Sequence, residues 1–307
     1  MMVHVAASRA ARFLVAHQSP EGWWRDYDNL PVGASDGWVT AYVGRALADA
    51  AAAGIESAAA ASARRAAAWL RDVRAYPAGW GYNAQTGPDA DSTAHAIALL
   101  RACDIPVGTA DVAWLRGRFR DNGGCATYDR KDAWGVAHVD VTPVAFLALP
   151  DTARAEIAPG VRRFIEVCRN ADGTWPAYWW RTCHYSTYWN LRALAAIDGQ
   201  PPLETPGCDE GEAGSAFDLA FAVGASALAG GPFSARLRRL LRQQSDDGSW
   251  PGAANLRVTD PRCLRPWETP AGLLYVDTQR LLTTASVLLV LGDLVRRSDS
   301  RHRHPAG

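Results

Sequence analysis

The sequence predicts an all-α protein, a single (α/α)6 toroid in which six inner helices stand inside an outer ring whose fifth member is missing or degenerate. Three observations carry this. A glycine turn, usually closed by tryptophan, recurs five times. Each turn is followed by a helix built on small apolar residues, and each is preceded by a helix with one charged face. The repeat is near 50 residues, and neither end shows the polar capping unit that an open stack needs, so the ring is expected to close. One domain over 1–297 follows, with 298–307 (SDSRHRHPAG) as a disordered C-terminal tail.

The turns read Gln18 to Trp24, Tyr76 to Trp80, Asp121 to Gly124, Asn170 to Trp175 and Gln244 to Trp250. The first and last keep the spacing Q-x3-G-x-W. Glycine suits the left-handed end of a helix, and an indole is large enough to pack across the junction to the next repeat. The inner helices are expected at 39–48, 92–102, 141–149, 186–197, 216–228 and 281–294; the outer ones at 6–17, 62–73, 110–120, 152–168 and 234–243. Residues 198–212 carry too much Pro and Gly for a fifth outer helix.

A formal net charge of zero and a pI near 7 argue against nucleic acid or an anionic membrane as partner. No stretch reaches the roughly 20 apolar residues of a span. Arg9 and Arg12 interrupt the N-terminal apolar run, so it does not read as a signal peptide. The six cysteines are scattered without a CxxC pair, which points to free thiols and a cytoplasmic location.

The Gly-Trp turns resemble the QW repeats of the squalene-hopene cyclase and class II terpene cyclase superfamily, whose toroid protein prenyltransferase β subunits share. Pro88-Asp89-Ala90-Asp91-Ser92-Thr93-Ala94 looks like the DxDD-T-A motif of class II cyclases, with Ser92 where the motif has its last aspartate. The resemblance implies that the acid at Asp91 protonates an alkene or epoxide and starts a carbocation cascade, with Asp89 as its neighbour. The prenyltransferase branch resembles a zinc enzyme with a D-x-C pair; that spacing is absent here, so no metal is expected.

The turns place the start of every inner helix at one end of the toroid. Asp36, Asp89, Asp91, Asp140 and Asp277 gather there, as proton donors or as N-caps worth about 1 kcal/mol each. A second carboxylate raises the pKa of Asp91 while the helix N-terminus lowers it, and the two acids are expected to titrate together. His138 and His184 are candidates to tune or reload the acid, ahead of His95, which sits one turn below Asp91. Trp38, Trp134, Trp180, Tyr185 and Trp267 are candidates to line a cation-stabilising cavity, with Asp140 and Asp277 at its rim. The long segment 252–276 is expected to act as a lid, and its Arg262 and Arg265, with Arg280, are alternative holders of a diphosphate or carboxylate.

These features favour a cyclase acting on a small apolar or prenylated substrate without a cofactor, Mg2+ entering only if the substrate is a diphosphate. The alternatives are a carbohydrate-active α/α barrel and a non-catalytic lipid- or partner-binding toroid.

Overall fold

A computed structural model describes residues 2–75, 77–200, 206–207, 214–269 and 273–303. The helices are α1 (Met2–Ala16), α2 (Gly37–Ala52), α3 (Ser57–Asp72), α4 (Ala90–Ala102), α5 (Thr109–Arg116), α6 (Thr142–Ala148), α7 (Asp151–Val167), α8 (His184–Asp198), α9 (Ala216–Leu228), α10 (Ser234–Arg242) and α11 (Leu281–Arg303). The inner members α2, α4, α6, α8, α9 and α11 pack in that order, and α11 packs back on α2, closing the toroid. Outside them stand α1, α3, α5, α7 and α10.

Sequence decides which ring each helix joins. In α9, every residue from Ala216 to Ser226 is buried, as a helix apolar on all sides demands. Helix α3 buries only Ala59, Ser62, Ala63, Ala66, Ala67 and Leu70, one stripe at helical spacing. Between α8 and α9, no helix is found among the described residues; 201–205 and 208–213, within the stretch expected to lack the fifth outer helix, lie outside them. Helix α11 runs on to Arg303, into the stretch expected to be a tail, and 304–307 lie outside the described residues.

The recurring turn is a three-way stitch. The indole N–H of Trp24, Trp80, Trp175 and Trp250 donates to the carbonyl ten residues earlier, Leu14, Leu70, Ile165 and Leu240, at 2.7–2.8 Å. Each indole therefore bonds to a carbonyl in the last turn of its own outer helix, where the intrahelical donors run out; Leu14 O and Leu240 O also accept the N–H three residues on. The backbone N–H of the same tryptophans donates to a threonine near the start of the following inner helix, Thr40, Thr93, Thr187 or Thr284. In the third turn Cys125 takes the tryptophan's place and its N–H meets Thr142 in the same way.

The indole's hydrogen bonds stay within its own unit, and hydrogen-bonded contact with the next repeat comes from the glutamine, with a close glycine approach beside it. Gln18 Nε2 donates to Ser62 O on α3, and Gln244 Nε2 to Ala6 O on α1. Gly22, at φ +107°, would put a Cβ 2.8 Å from Arg65 O, so only glycine lets the neighbouring outer helix come so close.

The segment expected to be an irregular lid contains a hairpin, β1 (Ala254–Val258) antiparallel to β2 (Leu273–Val276), the only named strands among the described residues. It lies over the inner-helix N-termini. Arg257 N donates to Trp179 O, Arg181 N to Asn255 O, and the Tyr27 hydroxyl to Asn255 Oδ1. No described helix is long and apolar enough to cross a membrane. Cys103, Cys125, Cys168 and Cys263 are free thiols.

Candidate active site

Where the inner helices begin, a cavity of about 240 Å³ opens beneath the hairpin. Its wall is mainly aromatic and aliphatic: Trp38, Tyr82, Tyr128, Trp134, Trp179, Trp180 and Tyr275, with Leu30, Val32, Val141, Leu256 and Val258. Asp89, Asp91, Ser92, Thr86 and Thr127 also line it, and none of its lining residues is Lys or Arg.

Asp89 is the N-cap of α4. Its carboxylate accepts the Ser92 N–H at 2.8 Å and the Ser92 hydroxyl at 2.7 Å, one on each oxygen. Asp91 stands in the first turn, where its Oδ2 accepts the Trp38 indole N–H at 2.7 Å. Its side chain keeps 17% exposure. Burial, then the charge of Asp89, push the Asp91 carboxyl up to about 8, against the pull of the Trp38 N–H and the Arg45 charge. Asp89 rises to about 6, burial outweighing its bonds from Ser92. Desolvation and the paired acid thus prevail at Asp91, which holds a proton at neutral pH.

His95 is fully buried, and it is the histidine nearest the acid, its Nε2 3.7 Å from Asp91 Oδ1. Its Nδ1 lies 3.4 Å from an Arg45 nitrogen. Because a guanidinium only donates, Nδ1 is the acceptor and the ring proton sits on Nε2, facing Asp91. Burial and then Arg45 push His95 well below its ordinary range, so the ring is neutral. Arg45 itself stacks on Trp189, 4.7 Å from the ring centre.

The two histidines ranked ahead of His95 do not reach Asp91. His138 is hydrogen-bonded to the Thr127 hydroxyl and the Ala133 carbonyl, while His184 is fully buried with neither ring nitrogen partnered. Trp38, Trp134 and Trp180 are on the wall; Tyr185 lies behind Trp180, ring centres 4.5 Å apart, and Trp267 is 41% exposed away from it. Asp140 accepts the N–H groups of Tyr178 and Trp179 at 2.8 Å and so pins the segment that carries the wall. Asp277 accepts from Ala253 N and Thr283 N at 2.7 Å, fastening the hairpin to the start of α11. Asp36 caps α2 through Gly37 N.

Arg262 is held by Asp260, Arg265 by Glu268, and Arg280 by Asp247 and Ser249; none lines the cavity. Among the described residues, no group of three or more His, Cys, Asp or Glu is placed to hold a metal ion. Tyr82, Tyr128 and Thr127 were not singled out from the sequence. They sit in loops without periodicity, and only the DADSTA motif beside them marks the region.

No protein-family model matches the chain, nor does any curated protein. Solved structures do. A variant of the type II terpene cyclase MstE from Scytonema, in complex with its substrate geranylgeranyl dihydroxybenzoate, is 23% identical, covers 96% of this chain and 97% of its own, and superposes with a TM-score of 0.80. A protein from Actinoplanes is 30% identical over 94% of this chain and 98% of its own, with a TM-score of 0.78, so the two belong to one family. An unsaturated glucuronyl hydrolase specific for heparin shares the toroid more distantly, at 10% identity and a TM-score of 0.59 over 97% of this chain. The chain therefore has the α/α toroid fold of type II terpene cyclases.

Proposed function

We propose that this toroid, built like a type II terpene cyclase, protonates an alkene-bearing isoprenoid through Asp91 and lets the resulting carbocation cyclise within the aromatic cavity. The observation that carries the reading is an Asp91 carboxyl that lines an apolar cavity and is fixed by the Trp38 indole, in surroundings that push it up to about 8. Protonation of the alkene leaves Asp91 as a carboxylate, which then accepts the Trp38 N–H on one oxygen and faces the His95 Nε2–H at the other. Arg45 and His95 thereby favour the conjugate base and strengthen the acid. The π faces of Trp38, Tyr82, Tyr128, Trp134, Trp179 and Trp180 surround the cation without offering it a strong nucleophile.

A prenylated molecule without a diphosphate suits this wall, which carries no basic residue, while the two hairpin-segment arginines are engaged by Asp260 and Glu268. Paired-acid glycoside cleavage suits it less, because both oxygens of Asp89 are occupied by Ser92. Incubation with geranylgeranyl dihydroxybenzoate, geranylgeraniol and geranylgeranyl diphosphate, followed by mass spectrometry, tests the proposal. Asp91→Asn is expected to lower turnover by at least about 1000-fold with the fold intact. Wild-type activity is expected to fall as pH rises through about 8, because the acid must be protonated to act. Full activity in Asp91→Asn would overturn the assignment.

A further inference from the structure

The cavity wall holds a second proton-handling group, built around Thr127. Its hydroxyl oxygen accepts the Trp179 indole N–H at 2.9 Å and stands 2.7 Å from His138 Nδ1. On the far side of the ring, His138 Nε2 is 2.9 Å from the Ala133 carbonyl. A carbonyl only accepts, so Nε2 bears the ring proton, Nδ1 presents its lone pair, and the Thr127 hydroxyl donates to it. Every hydrogen in the chain is thereby directed one way: Trp179 to Thr127, Thr127 to His138, His138 to Ala133. Thr127 lines the cavity, whereas His138, 3% exposed, does not. The Thr127 carbonyl also accepts the Ala90 N–H at 2.9 Å, which places the group beside the turn that carries Asp91.

We propose that Thr127, backed by His138, is the base that removes the last proton and ends the cation cascade as an alkene. This rests on the cyclase reading given above. A C–H bond next to the cationic carbon breaks, and its electron pair becomes the second bond of the new alkene. The proton passes to Thr127 Oγ1 as the hydroxyl's own proton moves to His138 Nδ1. Thr127 ends neutral and His138 ends as an imidazolium, so the positive charge has moved from substrate to ring.

Around that ring lie Tyr178, stacked with centres 4.0 Å apart, and Trp179, edge-on at 5.8 Å; no ion pair engages His138 among the described residues. Burial holds His138 near 4, while Asp91 is held near 8. Once product leaves, the proton therefore moves downhill from imidazolium to carboxylate, and the cycle consumes nothing but substrate.

The test compares wild type with Thr127→Val, Thr127→Ser and His138→Asn on geranylgeranyl dihydroxybenzoate and geranylgeraniol, reading turnover and the ratio of alkene to water-captured alcohol. Thr127→Ser keeps the hydroxyl and is expected to retain the wild-type ratio. Thr127→Val and His138→Asn, which retains an acceptor for Thr127 but no basic nitrogen, are expected to shift the ratio towards alcohol by at least about tenfold. An unchanged ratio and rate in both would overturn the role of Thr127, whereas wild-type turnover in Asp91→Asn would overturn the protonation reading instead. Nitrogen-15 NMR of the wild-type imidazoles gives a readout that needs no substrate. His138 is expected as the Nε2–H tautomer, protonating only near pH 4, and an Nδ1–H tautomer would overturn the relay.

Discussion

Ser92 divides the work of two neighbouring acids. By donating both its N–H and its hydroxyl to Asp89, it keeps that carboxyl an acceptor and leaves the proton to Asp91. The cost appears in stability. In the unfolded chain Asp91 titrates near 4, whereas in the fold it is raised to about 8, so between those values the folded state binds the extra proton. Folding stability therefore falls as pH rises from about 4 towards 8, and removing the carboxylate should restore it. Asp91→Asn is expected to melt several degrees above wild type at pH 8, with the gap closing near pH 4; a variant less stable at pH 8 would contradict the raised pKa. At this scale the sequence showed Asp91 and Asp89 through one motif, and Trp38 through its place at a helix start. It put His138 and His184 ahead of His95, and the structure sets His95 closest to Asp91, since sequence spacing cannot tell that His138 turns towards Thr127 while His95 turns inward.

In four of the five units, outer helix, turn and inner helix are joined because a single tryptophan bonds to both sides. Trp175→Phe keeps the ring but leaves the Ile165 carbonyl without its donor, and it is expected to cost about 1–3 kcal/mol in urea unfolding. Trp23, partly exposed in the first turn, serves as the control, and its Phe variant should change stability by less than about 0.5 kcal/mol. A similar small effect for Trp175→Phe would mean that the stitch rests on the threonine alone. The helices were legible because their periodicity is local and repeated. The hairpin was not: Leu256 and Val258 do alternate with Asn255 and Arg257, but β1 finds its partner only across a long connection, and no local pattern announces such a pairing.

In the whole molecule, closure was legible from the number of repeats, and the fasteners that achieve it were not. Gln244 bonds to Ala6, Arg9 to Ser245 and Asp246, and α1 packs on α11. Outer helices end and inner helices begin at the mouth, so Met2 and Arg303 both lie at the opposite end of the toroid. A chain joined there by a short linker and reopened after Gly54, an exposed turn between α2 and α3, is expected to keep its circular dichroism and its products. Loss of structure in that permutant would show that the order of the helices, not only their contacts, is required. Because α11 meets α2, the molecule also has no terminal repeat from which to fray. Any local opening must separate a pair of junctions at once, so amide exchange should be slow to a similar degree in α2, α9 and α11, where a linear array would loosen from its tips inward.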